Sequence, residues 1–130
     1  MLTVLIKTES HYTVDRKRIR NRISKFLEER GVKGDVEISV SIVGDRMMRK
    51  LNKTYRNLDT TTNVLSFPLA VNHTKENFVD PPDHKLYLGD IIISYPQARE
   101  DAADEEKLVD QVIDELVVHG LNHLLGNHHE

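Results

Sequence analysis

Three histidines near the C-terminus have the spacing of metal ligands: His119, His123 and His129. A helix brings side chains four residues apart onto one face, so the first two imidazoles would lie about 6 Å apart along its axis. Gly126 is expected to end this helix, because glycine readily adopts the left-handed conformation of helix C-termini. The chain can then turn back and bring His129 toward the other two. Three neutral imidazoles with an open fourth position are typical of catalytic zinc, so the sequence predicts a hydrolytic site with one Zn²⁺ per chain.

The identity of the metal and of the third ligand depends on weaker signals. Imidazole nitrogens also suit Ni²⁺ and Cu²⁺. His128 is an alternative third ligand, because it directly precedes His129. An H-x-x-x-H pair can also consist of two unrelated histidines on a solvated helix face. The apolar run around them predicts instead a buried C-terminal helix from about residue 105 to 125, in which imidazoles need partners.

The spacing H-x-x-x-H-x-x-G-x-x-H also occurs in metzincin peptidases, which carry a glutamate directly after the first histidine. That glutamate is the general base that deprotonates the metal-bound water. Gly120 occupies this position here, so the helix offers no such base. A peptidase or another metallohydrolase of small substrates is therefore an alternative that the chemistry disfavours.

The same segment resembles the C-terminal signature of the YbeY family of bacterial endoribonucleases, which mature ribosomal RNA. The family pattern is approximately H-G-x-L-H-L-x-G-Y-D-H. The residues that match it in place are His119, Gly120, His123, Leu124, Gly126 and His129. The departures are Asn122, Asn127 and His128. All three expected metal ligands are retained.

A second match covers residues 51–68, where the family pattern is near L-N-x-x-Y-R-x-x-D-x-P-T-D-V-L-S-F-P. The shared residues are Leu51, Asn52, Tyr55, Arg56, Asp59, Thr62, Val64, Leu65, Ser66, Phe67 and Pro68. Thr61 replaces the family proline, and Asn63 replaces an aspartate that would add a carboxylate near the site. A third match is L-G-D-I at residues 88–91. Its aspartate, Asp90, either orients a ligand histidine or, in the preferred interpretation, bonds a neighbouring turn.

The resemblance implies a zinc-dependent, single-strand-specific endoribonuclease that acts in 16S ribosomal RNA 3′-end maturation and ribosome quality control in the cytoplasm. Phosphoryl transfer also needs a cation where negative charge grows. Arg56 is the candidate catalytic residue, because guanidinium binds phosphate oxygens bidentately and stays charged. An ion pair with Asp59 is its alternative role. Lys50 and Lys53 are predicted to bind the RNA backbone. The general base is unassigned.

A non-catalytic ribosome-associated factor is a further alternative, in which the metal only fixes the C-terminal segment. The chain ends at Glu130, directly after the third histidine, and this keeps the alternative open. Under either ribosomal interpretation the expected partners are RNA and the ribosome.

The composition limits the number of domains, the kinds of metal ligand and the location of the protein. A chain of 130 residues with 38% hydrophobic residues is expected to form one domain, residues 1–130. The sequence has no cysteine, so disulfides and thiolate ligands are excluded. We see no charged-then-apolar leader and no apolar run near ~18 residues, so neither secretion nor a membrane span is expected.

The charge is unevenly distributed. Residues 1–65 hold 14 Lys and Arg against 8 Asp and Glu, whereas residues 66–130 hold 4 against 13. A nucleic acid would therefore meet the first half of the chain. Within that half, the basic face of the first helix is interpreted as an ordinary solvated surface, and the denser run from Arg46 to Arg56 is preferred for RNA.

The pattern of apolar residues predicts an α+β domain with a small mixed β-sheet packed against helices. Strands are expected at residues 2–6, 36–42, 64–67 and 86–93. One helix should begin after Thr13 or Asp15 and end at Gly31, and another should be capped by Asp45. Ser94 and Gln97 form a capping box for a short helix. Residues 70–85 are interpreted as a connection or lid.

Overall fold

The computed structural model describes residues 1–9, 11–68 and 85–126, which form four strands and four helices. The predicted connection or lid lies, apart from Lys85, outside the described residues. The elements are β1 (Leu2–Thr8), α1 (Arg16–Glu29), β2 (Val36–Val43), α2 (Asp45–Arg56), β3 (Val64–Pro68), β4 (Leu86–Ser94), α3 (Tyr95–Glu105) and α4 (Val109–Leu124).

The strands form one mixed sheet in the order β1-β2-β4-β3. β1, β2 and β4 are parallel, and β3 pairs antiparallel with β4 along one edge. The register places Ser66 of β3 opposite Ile91 of β4. This confirms the predicted α+β domain with a small mixed sheet.

The two faces of the sheet are covered by different helices. In β2, strict alternation puts Val36, Ile38, Val40 and Ile42 into the main core, which also contains buried side chains of α1, α3 and α4. The opposite face forms a smaller core in which Met48 of α2 packs with Val43 and Leu65. The helix that carries the histidines and the helix that carries Lys50, Lys53 and Arg56 therefore lie on opposite sides of the sheet.

Helix α1 begins as predicted, because Asp15 is its N-cap and its side chain accepts a hydrogen bond from the backbone N–H of Arg18 at 3.1 Å. The last helix begins later than predicted. Helix α3 runs to Glu105, and the left-handed Glu106 (φ 58°) ends it, so α4 starts only at Val109. The described helices include none that is both long and apolar enough to cross a bilayer.

The prediction that Asp45 caps α2 is wrong. Gly44 occupies the cap with an extended backbone, and Asp45 is the first helical residue. Its carboxylate instead accepts hydrogen bonds from the side chains of Thr61 (3.1 Å), Ser94 (2.9 Å) and Gln97 (3.2 Å). Asp45 thereby joins the start of α2 to the segment before β3 and to the β4–α3 junction.

The predicted capping box at Ser94 is only half formed. The Ser94 hydroxyl accepts from the backbone N–H of Gln97 at 3.3 Å, so α3 has the expected side-chain cap. The Gln97 side chain does not return to the Ser94 backbone, because it bonds Asp45 and the Ser94 N–H donates to the Asn63 carbonyl.

Helix α4 approaches the sheet most closely at Gly120, which lies over Ile91. A β-carbon at position 120 would lie 2.9 to 3.0 Å from three side-chain carbons of Ile91, which is itself fully buried. Van der Waals contacts between carbons begin near 3.5 Å. Glycine at this position therefore allows the helix to sit directly on the strand, and a glutamate would not fit here without displacing Ile91.

We predict that Gly120→Ala destabilises the protein. Overpacking typically costs about 1–3 kcal/mol, which exceeds the gain of about 1 kcal/mol from replacing glycine in a helix. Urea unfolding should show a lower free energy of unfolding. The same substitution in an Ile91→Ala background should cost less, since the colliding carbons are then gone. A Gly120→Ala protein as stable as wild type would contradict the close packing.

Candidate metal centre

Helix α4 exposes the two histidines to different extents. Its buried face consists of Val112, Ile113, Leu116, Val117, Gly120 and Leu121. His119 is exposed and His123 is half-buried. The predicted burial of this helix is confirmed along that face, but His119 does not share it. The sheet covers one side of α4 and helices α1 and α3 flank it, so the apolar Val118 and Leu124 remain only partly covered.

His123 is held by a serine from the edge strand. Its Nδ1 lies 2.7 Å from the hydroxyl oxygen of Ser66. Ser66 points toward α4 because its neighbours Leu65 and Phe67 pack on the α2 side of the sheet. With Ser66 on Nδ1, a metal would be bound through Nε2, and such a contact on the other ring nitrogen orients histidine ligands.

Ser66 was not identified from the sequence as a site residue. The signal was present, because alternation along a strand puts Ser66 on the opposite face from Leu65 and Phe67. The sequence did not show that β3 pairs with β4, which places Ser66 beneath α4.

The helix ends where the sequence predicts. α4 stops at Leu124, and Gly126 follows with a left-handed backbone (φ 84°). The predicted third ligand His129 and its competitor His128 lie outside the described residues. Within the described part of the chain, no three His, Cys, Asp or Glu side chains are grouped so that they could hold a metal. The structure therefore places His119 and His123 one turn apart, and the third ligand stays a prediction.

One departure from the family pattern has a structural role. The Asn122 side-chain oxygen accepts a hydrogen bond from the guanidinium of Arg30 at 2.8 Å. Arg30 is the C-cap residue of α1. This bond joins the ends of α1 and α4 next to the histidines.

Arg56 is the last residue of α2, and Asn57 caps the helix with a left-handed backbone. Its side chain is exposed and has no hydrogen bond or ion pair with any residue in the described ranges. The ion pair with Asp59, its alternative role, is not formed there. Asp59 pairs instead with Arg49 at 2.9 Å, and this hydrogen bond holds the pKa of the Asp59 carboxyl below its usual value.

The end of α2 lies against the strand that carries Ser66. The Tyr55 and Phe67 rings are 5.0 Å apart between centroids, which brings the residue before Arg56 onto β3. The segment after Arg56 is fixed by the buried Asn52, whose side-chain amide donates to the Thr60 carbonyl at 3.0 Å. Arg56 therefore projects from a fixed helix end beside the edge strand.

The other predicted residues lie on the α2 side of the sheet. Lys50 and Lys53 are exposed on α2, across the sheet from α4. Asp90 accepts a hydrogen bond from Ser39 of the neighbouring strand β2. Because Ile91 next to it faces α4, Asp90 points away from the histidines. Its bond joins two strands and not, as expected, a neighbouring turn.

Comparisons with known proteins agree with the sequence motifs. The family model described as Endoribonuclease YbeY matches residues 5–130. A protein named Endoribonuclease YbeY from Roseiflexus castenholzii is 41% identical over 117 residues, covering 90% of this chain and 72% of that protein. A protein of the same name from Anaeromyxobacter sp. (strain Fw109-5) is 40% identical over 114 residues, covering 88% of this chain.

The chain spans 54% of the length of the Anaeromyxobacter protein. Among solved structures, the solution structure of TM1509 from Thermotoga maritima is similar with a TM-score of 0.59 and 27% identity. That match covers 95% of this chain and 73% of the other. The family match over nearly the whole chain and these identities show that the chain belongs to the YbeY endoribonuclease family.

Proposed function

We propose that this protein is a metal-dependent endoribonuclease that cleaves single-stranded RNA during ribosomal RNA maturation, at the 3′ end of 16S RNA, and in ribosome quality control. Membership of the YbeY family supports the reaction class. The observation that carries the proposal is the His119 and His123 pair at the end of α4, with Ser66 bonded to Nδ1 of His123. RNA, the ribosome and a cytoplasmic location belong to the same proposal.

The donor set fits zinc better than a hard cation, because its members are imidazoles and one ring is already oriented by a hydroxyl. His119, His123 and His129 would hold one Zn²⁺, with Ni²⁺ as the alternative ion. When bound, the ion would supply a water of lowered pKa and polarise a phosphoryl oxygen. Gly120 faces Ile91 in the core, so position 120 cannot supply the proton acceptor.

The chain's own residues have three roles in this proposal. Ser66 fixes the ring of His123, and its hydroxyl can donate to or accept from Nδ1. Arg56 binds phosphate oxygens and compensates charge that grows during cleavage. Lys50 and Lys53 hold the RNA backbone on the α2 side, so an RNA that meets both groups would pass around the β3 edge of the sheet.

A zinc peptidase of the metzincin type is disfavoured by the packing of Gly120 on Ile91, because a glutamate would not fit there. A non-catalytic ribosomal factor is tested by the same experiments as the nuclease. Wild-type protein that binds zinc and loses thermal stability as His123→Ala, yet cleaves no RNA, would favour that alternative.

We expect His119→Ala to abolish cleavage of a single-stranded RNA by the zinc-loaded protein. Loss of a ligand removes a Lewis acid that contributes several kcal/mol, so the rate should fall on the order of 10²-fold or more. His11→Ala is the matched control, since His11 is an exposed histidine outside the site. Unchanged cleavage by His119→Ala would remove this residue from the reaction.

Ser66→Ala should weaken zinc binding about 10- to 100-fold, because hydrogen-bond partners of ligand histidines have effects of this size. Competition with a chromogenic chelator measures the affinity. Ser41→Ala removes a serine of β2, which β4 separates from β3, and this variant should bind zinc like wild type. Equal affinity of the Ser66→Ala and wild-type proteins would show that this hydroxyl does not support the site.

Arg56→Ala is predicted to lower kcat by about 10²-fold with a smaller change in RNA affinity, because the guanidinium acts mainly on charge that develops during the reaction. Arg99→Ala removes an exposed arginine of α3, outside the run of cations on α2, and serves as the control. Equal kcat values for the two variants would argue against a catalytic role of Arg56.

A further inference from the structure

The outer face of α1 carries a row of cations beside the helix that bears the histidines. Lys17, Arg18, Arg22 and Lys25 are all exposed. Together with Asp15, Asn21 and Asp114 they line a groove of about 420 Å³ between α1 and α4. We call these four cations the α1 stripe.

The positive charges of the α1 stripe are expected to lower the stability of helix α1. No acidic residue occurs from Arg16 to Leu27, and the first turn, which lies at the positive end of the helix dipole, contains none. Arg18 and Arg22 are four residues apart, a spacing at which like charges repel. A helix selected only for stability and solubility would intersperse acids here, as surface helices usually do.

Most of this charge is uncompensated. Arg18 pairs with Asp114 of α4 at 2.8 Å. Lys17, Arg22 and Lys25 form no hydrogen bond or ion pair with the residues that the structure describes. Three cations of the groove therefore have no hydrogen-bond or ion-pair partner among the described residues, although the carboxylates of Asp15 and Asp114 also line it.

The α1 stripe leads toward the histidines. Arg18 contacts Asp114 near the start of both helices, and Arg30 contacts Asn122 near their ends, at 2.8 Å in each case. The two helices therefore run in the same direction, and the stripe follows α4 toward the turn that carries His119. By contrast, Lys50 and Lys53 lie across the sheet from this turn.

We propose that the α1 stripe binds the phosphodiester backbone of RNA and guides it along α4 to the histidines. The proposal depends on the proposed nuclease function for the identity of the polyanion. From Lys17 to Lys25 the stripe extends about 12 Å along the helix, which is long enough to contact more than one phosphate group of a strand. It replaces the interpretation of this face as an ordinary solvated surface.

The lining of the groove favours RNA over an anionic membrane. It contains no apolar side chain, whereas helices that bind membrane surfaces insert an apolar face next to their cations. Phosphate groups spaced along a flexible strand match a row of cations without any apolar contact.

The test compares two triple variants that remove the same charge. The stripe variant is Lys17→Gln, Arg22→Gln and Lys25→Gln. The control is Lys7→Gln, Lys33→Gln and Arg99→Gln, three exposed cations that do not line the groove. Binding of a fluorescent single-stranded RNA by the full chain is measured over a range of salt concentrations.

The stripe variant should bind about tenfold or more weakly at low salt. The slope of log K against log salt should fall by about 2, since each lost contact to single-stranded nucleic acid contributes about 0.7. The control should retain nearly the wild-type slope. Thermal unfolding should show the stripe variant at least as stable as wild type, because the substitutions remove repulsion between like charges on α1. A loss of RNA binding could then not be attributed to unfolding.

Because binding needs no turnover, the two proposals can fail separately. If wild type cleaves RNA and the stripe variant binds RNA as wild type does, the stripe proposal is overturned and the nuclease stands. If the stripe variant loses binding while zinc-loaded wild type never cleaves RNA, the nuclease fails and the stripe is supported. The stripe proposal would also be overturned if wild-type protein bound anionic lipid vesicles but did not bind RNA.

Discussion

The close contact between α4 and the sheet at Gly120 determines where the histidines lie. A side chain at this position would collide with Ile91, so only glycine lets the helix settle on β4. With the helix at that depth, His123 reaches Ser66, which stands opposite Ile91 in the antiparallel pairing of β3 with β4. The helix–sheet contact and the orientation of the histidine ring are therefore two results of one packing constraint.

The sheet divides the charged helices into two groups. α1 lies with α4 on the main-core face, whereas α2 covers the opposite face. Asp45 holds α2 to the ends of β4 and α3, and the Tyr55–Phe67 contact holds its other end to β3. The cations of α1 therefore lie on the same face of the sheet as the histidines, whereas Arg56 lies at the end of α2 beside the edge strand β3.

Much of the fold could be predicted from local patterns. The alternation of apolar and polar residues predicted β2. Asp15 predicted the start of α1, and Gly126 predicted the end of α4. The errors arose where tertiary contacts decide. Asp45 has the residue type of a helix cap, but three side-chain donors from other segments bind its carboxylate. His119 follows a run of apolar residues, yet none of the elements that the structure describes buries its side chain.

The candidate site was predictable to the extent that it is local in sequence. The spacing of His119 and His123 depends only on the helix repeat, and both residues lie one turn apart on α4. Ser66 is 57 residues away from His123, and the α1 stripe is brought to α4 by two contacts across the fold. Such relations depend on strand order and helix packing, which hydrophobic periodicity alone does not specify.

X-ray absorption spectroscopy at the zinc edge, on full-length protein loaded with one equivalent of Zn²⁺, tests the metal site most directly. We predict three imidazole nitrogens at about 2.0–2.1 Å and one oxygen from water. Loss of one imidazole from the spectrum of His119→Ala would assign that ligand. A shell of oxygens without imidazole scattering, or a spectrum unchanged by His119→Ala, would contradict it.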